Sequence, residues 1–259
     1  AIEHFQTTVD GPGNIDPLQD AAARRDTTVG TVLEIDVGLN RTGVSHEDAP
    51  EMAAYVADQP NLRFDGVMAY EGHVNGIADG PEEYERLTNE VMDEVAATVD
   101  RIEDRGLPVE EVKVGSTGTS LYSGSHPVVT EINPGMYPFN DVGQLNRVEK
   151  EDCAVTVHSS VISAPTEDRV VVDAGSKTMS MDVDRLPVPA NRSDLEYYNY
   201  SEEHGWVDTG AADQPAVGER LEFVIPHVCT TINLHDTLVG VREGRVEDVW
   251  EVQARGKVR

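Results

Sequence analysis

The chain has 259 residues, of which 39% are hydrophobic and 26% charged. This length and composition suit one large or two modest globular domains rather than a disordered chain. Asp and Glu total 48 against 20 Lys and Arg, which gives a formal net charge of −28. A surplus of this size argues against the basic patches that nucleic acid or an anionic membrane would require.

The acidic residues are spread along the whole chain and interleaved with periodic apolar residues. Such a surplus repels itself in dilute buffer and is tolerated near molar salt, where the Debye length falls to roughly 3 Å. We therefore expect a halophilic, cytoplasmic enzyme. Only two cysteines occur, Cys153 and Cys229, and neither a signal peptide nor an apolar run of membrane-spanning length is visible.

The first half of the chain alternates short β-rich runs with helical patterns. In chain order we predict a strand over residues 3–9, a helix over 15–25, a strand over 28–39, a helix ending near 58, a strand over 63–70, a helix over 81–106, and strands over 109–114 and 129–132. The long helix is well marked, because Pro81 opens it, acidic residues follow and Gly106 ends it. Such alternation predicts a parallel sheet, either open or closed into a barrel.

From about residue 148 the pattern becomes β-rich. Predicted strands cover residues 154–162, 169–173, 220–224, 238–242 and 245–252, with a hairpin turn at 243–244 between the last two. Residues 193–198 are compatible with a strand or a helix. The predicted fold class is α/β plus all-β, with an α/β domain over residues 1–147 and a β domain over residues 148–259.

Polar motifs follow the predicted strands of the first half, where the βα loops of a barrel converge on one face. They cover residues 36–43, 70–73, 115–119 and 133–137. The run 115–119, Gly-Ser-Thr-Gly-Thr, offers backbone N–H groups and three hydroxyls to a phosphate, although most short stretches of this kind are plain turns. Arg41 suits an anion or a heteroaromatic ring, and equally a surface ion pair with an acid.

The β domain carries the run Pro226-His227-Val228-Cys229. In a strand, residues i and i+2 face the same side, so His227 and Cys229 would bind one metal ion. Imidazole and thiolate together suit zinc, and two ligands leave positions open for substrate or water. The alternative is a buried cysteine next to a structural histidine. His73, His235 and Asp236 are further candidates for this site.

Taken in order, these motifs resemble the D-threonine aldolase and D-serine dehydratase family, the metal-activated branch of the alanine-racemase-like fold, in a haloarchaeal-type version. The matching runs are residues 34–44, 70–73, 115–119, 134–137, 173–177, 202–205, 226–229 and 233–236. The resemblance implies part of a TIM-type (β/α)8 barrel that binds pyridoxal phosphate, followed by a β domain that carries a metal site.

The resemblance also implies roles for individual residues. Cofactor contacts are expected from Arg41, Tyr70, Ser116, Thr117, Gly118, Thr119, Gly135 and Tyr137. Catalytic roles are expected for Arg41, Tyr70 and His73. His227 and Cys229 would hold a divalent metal that binds the substrate's β-hydroxyl, with zinc as the first expectation and manganese or magnesium as alternatives.

The activity implied is that of a pyridoxal-phosphate- and metal-dependent lyase on D-3-hydroxy amino acids, resembling a D-threonine aldolase that forms glycine and an aldehyde. A D-serine dehydratase forming pyruvate and ammonia is the alternative, and the His-x-Cys pair leans towards it. A non-catalytic cofactor-binding protein and an amino-acid racemase are alternatives of other kinds. A homodimer is a further expectation by analogy.

One departure from the family concerns lysine. The family's Schiff-base lysine lies on the first barrel strand, whereas Lys113, Lys150, Lys177 and Lys257 match no such position. About five strands are predicted before residue 148, and a closed barrel needs roughly eight. We therefore expect the lysine-bearing part of the barrel to lie outside this sequence, through truncation or on a separate chain.

Overall fold

A computed structural model describes residues 5–210 and 213–257. The chain divides into two compact units, Ala1–Gly135 and Met136–Arg259. The boundary predicted from the sequence, between residues 147 and 148, lies further along the chain. Met136 and Phe139 pack against the hydrophobic core of the second unit, so the segment before residue 148 belongs with that unit.

The first unit is built from alternating strands and helices. Its elements are β1 (Gln6–Val9), α1 (Pro12–Ala23), β2 (Val29–Ile35), α2 (Ala49–Ala57), β3 (Leu62–Ala69), α3 (Val74–Ile77), α4 (Pro81–Glu103), β4 (Glu111–Val114), α5 (Ser120–Ser123) and β5 (Glu131–Ile132). The five strands pair in parallel, in the order β1-β2-β3-β4-β5. This confirms the α/β part of the predicted class. Residues 3–4, where the first strand was predicted to begin, lie outside the described residues.

The core of the first unit lies between the sheet and its helices. Six of the seven residues of β2 are buried, as expected of a parallel strand covered on both faces. Helix α4 contributes an apolar stripe at helical spacing that includes Val91, Val95 and Ile102. In the described part of the chain, no helix is long and apolar enough to cross a membrane.

Gly66 in β3 occupies a position that only glycine fits. Its φ is +157°, the β2–β3 register shifts just before it, and a Cβ there would overlap the carbonyl of Glu111. Because backbone cannot move aside easily, we expect Gly66→Ala to lower the free energy of unfolding by about 2–4 kcal/mol. Urea unfolding measures the change. A Cβ added at Gly13 in α1 would have no atom within 4 Å, so Gly13→Ala serves as the control and should be no less stable than the wild type.

The second unit is mainly antiparallel β-structure. Its elements are β6 (Thr156–Thr166), β7 (Arg169–Val172), β8 (Val188–Pro189), β9 (Glu196–Tyr200), β10 (Gly205–Asp208), β11 (Arg220–Val224), α6 (Val228–Asn233), β12 (Thr237–Arg242) and β13 (Arg245–Glu251). Six strands form one sheet in the order β8-β11-β6-β7-β10-β9, and β12 and β13 form a separate hairpin. The all-β part of the predicted class is thereby confirmed, and the ambiguous run 193–198 contributes to strand β9.

Two of the sequence motifs in this unit are bound to each other. Gly175 lies so close to the backbone of residues 201–204 that a Cβ would overlap the carbonyl of Ser201. The amide of Ser176 donates to that same carbonyl at 2.9 Å, and Lys177 Nζ pairs with Glu203 Oε1 at 2.6 Å. These contacts give the runs 173–177 and 202–205 a structural role in joining two segments.

Asp173 makes the stability of this unit depend on pH. Partial burial opposes ionisation, but the hydroxyl of Ser159 at 2.6 Å and the amide of Ser160 at 2.8 Å outweigh it, so the pKa of Asp173 is lowered. A lowered pKa stabilises the folded state above the unfolded-state pKa of about 4, and this stabilisation is lost as the pH falls through the folded-state value.

We therefore expect Asp173→Asn to flatten the fall in the free energy of unfolding as the pH drops below about 4. Denaturant unfolding at a series of acidic pH values measures it. Ser159→Ala removes one donor to Asp173 and should reduce the same acid dependence of the free energy of unfolding by less. If the free energy of unfolding of Asp173→Asn falls with pH as steeply as that of the wild type, this assignment of the pH dependence to Asp173 is wrong.

Candidate functional site

The loop after β2 is held in one conformation by its own side chains. Asp36 Oδ1 accepts hydrogen bonds from the amides of Gly38 and Asn40, both at 3.0 Å. Asn40 has a φ of +57°, and its Nδ2 donates to the carbonyl of Gly38 at 2.9 Å. Arg41 follows directly, so its backbone position is fixed by this turn.

Arg41 and Tyr70 come together although they follow different strands. The guanidinium carbon of Arg41 lies 5.0 Å from the centroid of the Tyr70 ring, within the range of a cation–π contact. Glu34 Oε1 lies 4.0 Å from the same guanidinium. Tyr70 directly follows β3, and its ring packs so closely on Gly72 that a Cβ would overlap it. The ends of β2 and β3 thus present a cation and an aromatic ring side by side.

A buried carboxylate, Glu71, connects the end of β3 to the loop after β4. It is fully buried and accepts hydrogen bonds from the Thr119 hydroxyl at 2.6 Å and the Gly115 amide at 3.1 Å. Gly115 has a φ of +150°, and a Cβ there would lie 2.6 Å from the amide nitrogen of Asn133. The shape of the loop 115–119 therefore depends on Glu71 and on a glycine at its first position.

Asn75 makes a second connection to the same loop. Its Nδ2 donates to Ser116 Oγ at 2.7 Å and to the carbonyl of Gly72 at 3.0 Å, while its Oδ1 is buried and has no partner. Ser116 Oγ also accepts from the Gly118 amide at 3.3 Å. Within the described residues, the hydroxyl proton and amide of Ser116 have no acceptor. Sequence reasoning did not single out Glu71 or Asn75.

The remaining predicted residues of this group differ in their surroundings. His73 packs on Gly38, whose added Cβ would lie 3.1 Å from His73 Nε2, and its buried Nδ1 has no partner among the described residues. The Thr119 hydroxyl is committed to Glu71, so it supports the loop rather than offering a donor. Gly135 is exposed and ends the first unit, whereas Tyr137 belongs to the second unit and is 62% exposed.

The first-unit residues fit the cofactor expected from the sequence. Pyridoxal phosphate needs anion donors for its phosphate and flat or cationic groups for its ring. Ser116, which follows β4, supplies an amide and a hydroxyl that have no acceptor within the described residues. Arg41 and Tyr70 supply the cation and the flat face. Among the described residues, the buried atoms His73 Nδ1 and Asn75 Oδ1, which follow β3, have no hydrogen-bond partner.

The expectation that residues 226–229 form a strand is wrong. Strand β11 ends at Val224, His227 is extended with φ −149°, and helix α6 starts at Val228. The helix starts there because the Val228 amide donates to Asp141 Oδ2 at 2.9 Å, and Asp141 is a buried carboxylate. His227 therefore precedes the helix and Cys229 lies in its first turn, so the argument from strand alternation does not apply to this pair.

His227 is held by a carboxylate. Its Nδ1 lies 2.9 Å from Asp182 Oδ2, and Asp182 Oδ1 accepts hydrogen bonds from Ser180 Oγ at 2.7 Å and Thr230 Oγ1 at 2.8 Å. Partial burial opposes ionisation of Asp182, but these hydrogen bonds outweigh it and lower its pKa to about 2. The Nε2 atom of His227 makes no hydrogen bond within the described residues.

The Cys229 side chain reaches the surface beside two carboxylates. Neighbouring protein atoms partly desolvate its sulfur, and Asp141 and Asp182 add negative charge, so the pKa of the thiol is raised. A bound divalent cation would reverse this by stabilising the thiolate. The donor set of imidazole Nε2 and thiol suits a soft or borderline cation with open positions. Within residues 5–210 and 213–257, no three or more His, Cys, Asp or Glu side chains are arranged so that they could hold a metal ion together.

The other candidates for this site are engaged elsewhere. His235 Nε2 lies 2.8 Å from the carbonyl of Thr178. Asp236 pairs with Arg255. His235 and Asp236, which lie between α6 and β12, therefore have structural partners in Thr178 and Arg255.

Comparison with known proteins assigns the family. Residues 1–141 match the family model described as the alanine racemase, N-terminal domain. The chain belongs to this family. Residues 154–241 match a second family model, that of a serine dehydratase domain. The resemblance seen in the sequence motifs is confirmed by both matches.

Individual relatives match between 58% and 99% of the chain. A 3-hydroxy-D-aspartate aldolase of Paracoccus denitrificans (strain Pd 1222) is 36% identical over 262 residues, which cover 96% of this chain and 66% of the relative. A D-threo-3-hydroxyaspartate dehydratase of Delftia sp. (strain HT23) is 31% identical over 155 residues, 58% of this chain and 40% of the relative. The crystal structure of D-threonine aldolase from Filomicrobium marinum superposes with a TM-score of 0.91 at 32% identity, covering 99% of this chain and 71% of that one. The chain thus spans about two thirds of the length of the Paracoccus aldolase.

Proposed function

We propose that the protein is a pyridoxal-phosphate- and divalent-metal-dependent lyase that cleaves D-3-hydroxy amino acids to glycine and an aldehyde. The observation that carries the proposal is a pair of features in one chain of this family. The strand ends of the first unit present Arg41 over Tyr70. The second unit presents His227, whose Nε2 makes no hydrogen bond within the described residues, two positions before the exposed thiol of Cys229. The names of the aldolase relatives give the same substrate class.

The residues of the first unit would hold the cofactor. Arg41 and Tyr70 would flank its ring, and the loop of Ser116, Thr117 and Gly118 would bind its phosphate. When bound, pyridoxal phosphate supplies an electron sink for negative charge at the substrate's α-carbon. Glu71 supports this loop through its hydrogen bonds with the Gly115 amide and the Thr119 hydroxyl.

The residues of the second unit would hold the metal. His227 Nε2 and Cys229 Sγ are the donors, and zinc is the cation that this pair suits best, with manganese or magnesium as alternatives. A bound divalent cation supplies Lewis acidity towards the β-hydroxyl of the substrate. Two protein ligands leave the positions that a hydroxyl would occupy.

His73 is the proposed proton-holding group of the first unit. Its Nδ1 has no partner within the described residues, so the imidazole is not committed to a structural hydrogen bond. An imidazole in this position would take up or return a proton during cleavage. Gly135 and Tyr137 remain predicted cofactor contacts on the strength of the family motif.

A dehydratase is the second candidate function. It would expel the β-hydroxyl as water after loss of the α-proton and yield a keto acid and ammonia. The match of residues 154–241 to a serine dehydratase domain and the dehydratase among the relatives favour it. A non-catalytic cofactor-binding protein has less support, because such a protein has no need for the His227 and Cys229 pair. The homodimer, the cytoplasmic location and the haloarchaeal, salt-adapted origin stay predictions.

Product analysis distinguishes the two activities. The purified full-length protein, supplied with pyridoxal phosphate and Zn²⁺, is incubated separately with D-threonine, D-3-hydroxyaspartate and D-serine. Glycine formed from the first two supports the aldolase. Keto acid with ammonia supports the dehydratase and overturns the aldolase proposal, and the absence of both products with all three substrates overturns the lyase proposal.

A further inference from the structure

We infer that Asp182 positions His227 for metal binding by holding the imidazole proton on Nδ1, which leaves the Nε2 lone pair for the cation. The inference rests on the proposed function, because it concerns the metal site at His227 and Cys229. Asp182 would not touch the metal. It is a positioning residue that acts through the histidine.

The hydrogen bonds around Asp182 determine which imidazole nitrogen carries the proton. A carboxylate oxygen only accepts, so the 2.9 Å contact between Asp182 Oδ2 and His227 Nδ1 needs a proton on Nδ1. Thr230 Oγ1 lies 3.3 Å from the same nitrogen, but its own proton goes to Asp182 Oδ1 at 2.8 Å. Thr230 can then only accept from Nδ1, so both neighbours favour the same tautomer.

The carboxylate is itself anchored to the helix that His227 precedes. Ser180 Oγ donates to Asp182 Oδ1 at 2.7 Å, and the Ser180 amide donates to the Thr231 hydroxyl at 3.1 Å. Thr231 is a buried residue of α6, and Thr230 precedes it in the same helix. Asp182 therefore keeps its place relative to His227 without a metal ion.

Metal binding gains from this arrangement because a cation needs an unprotonated nitrogen. A free neutral imidazole carries its proton mainly on Nε2, so a histidine without such a partner must move that proton before Nε2 can bind. A carboxylate on Nδ1 removes this step and orients the ring. Asp182→Asn is the informative change, because its amide N–H can donate to Nδ1 and so favours a proton on Nε2.

The first measurement is the tautomer of His227 in the metal-free protein. Long-range ¹H–¹⁵N correlation NMR near neutral pH distinguishes a protonated from an unprotonated ring nitrogen, and the signals missing from His227→Ala identify the residue. We expect a proton on Nδ1 in the wild type and on Nε2 in Asp182→Asn. A proton on Nε2 in the wild type would overturn the inference, whatever the activity of the protein.

The second measurement is the affinity for Zn²⁺, determined by competition with a chelating dye. We expect Asp182→Asn to weaken binding by about 10- to 100-fold. Asp184→Asn is the matched control, since it removes one negative charge from the same loop, and Asp184 has no hydrogen bond or ion pair with His227 among the described residues. It should bind Zn²⁺ within about twofold of the wild type. If both variants lose the same amount of Zn²⁺ affinity, the effect comes from net charge, and the positioning role of Asp182 is overturned.

A third variant guards against a folding defect. Thr230→Val removes one support of Asp182 but leaves the carboxylate in place, so it should keep the proton on Nδ1 and weaken Zn²⁺ binding by less than Asp182→Asn does. The thermal midpoint of each variant shows whether it is folded.

If His227→Ala binds Zn²⁺ as the wild type does, the proposed metal site fails. If only Asp182→Asn does so, the positioning role alone fails.

Discussion

A His227→Ala variant is expected to lose its bound divalent metal and to lower turnover of a D-3-hydroxy amino acid by at least about two orders of magnitude. The reason is that the site has two protein donors, so removing one leaves a single exposed thiol to hold the cation. Changes to residues that merely support a ligand already cost about 10- to 100-fold. Metal content by elemental analysis and the initial rate of glycine formation measure the two effects.

His158→Ala is the matched control for this experiment. His158 lies on β6, its side chain is 60% exposed, and its nearest ionic partner is Glu222 at 3.7 Å. It should keep its metal and its rate. Cys229→Ala should reproduce the loss seen with His227→Ala. If the His227→Ala protein keeps its full metal content and its full rate, His227 is not a ligand of the divalent metal.

Loss of the buried carboxylate of Glu71 has the second large expected effect. Glu71→Ala leaves the Gly115 amide and the Thr119 hydroxyl without their acceptor in a buried place and opens a cavity there. We expect the free energy of unfolding to fall by about 2–4 kcal/mol. The loop that would bind the phosphate loses its support, so the dissociation constant for pyridoxal phosphate should rise at least about tenfold.

Two comparisons make the Glu71 result specific. Glu85→Ala removes an exposed carboxylate from α4 and should change stability by no more than about 0.5 kcal/mol. Glu71→Gln keeps one carbonyl acceptor, so it should fall between Glu71→Ala and the wild type in both stability and cofactor affinity. Cofactor fluorescence titration measures the affinity. An unchanged affinity in Glu71→Ala would show that the loop does not depend on this residue.

Periodicity was enough to predict most elements of the fold. The apolar run of β2, the helical stripe of α4 and the alternation of β11 are local patterns, and each element formed close to where its pattern predicted it. The hairpin turn at residues 243–244 also follows from local chemistry, since both residues have a positive φ. The ends of strand β5 are harder to predict from the sequence, because two residues are too few to show an alternation of apolar and polar side chains.

Contacts between distant residues set the features that the sequence did not predict. The run 226–229 looks like a continuation of β11, yet the buried carboxylate of Asp141 receives the Val228 amide and starts a helix instead. Glu71 stands inside a recognised motif, but its acceptor role becomes visible only when the loop 115–119 is placed against it. Asp182 is likewise one acid among many in a chain with a net charge of −28, until His227 is found beside it.

We propose that this protein uses a metal held by His227 and Cys229 to cleave a D-3-hydroxy amino acid. Glycine release from D-threonine by the full-length protein loaded with cofactor and metal, measured before and after a chelator removes the metal, tests this proposal. We predict equal amounts of glycine and acetaldehyde, loss of both after chelation, recovery with Zn²⁺ and no reaction with L-threonine. Glycine release that continues after the metal is removed, or a keto acid as the product, would rule out a metal-dependent aldolase.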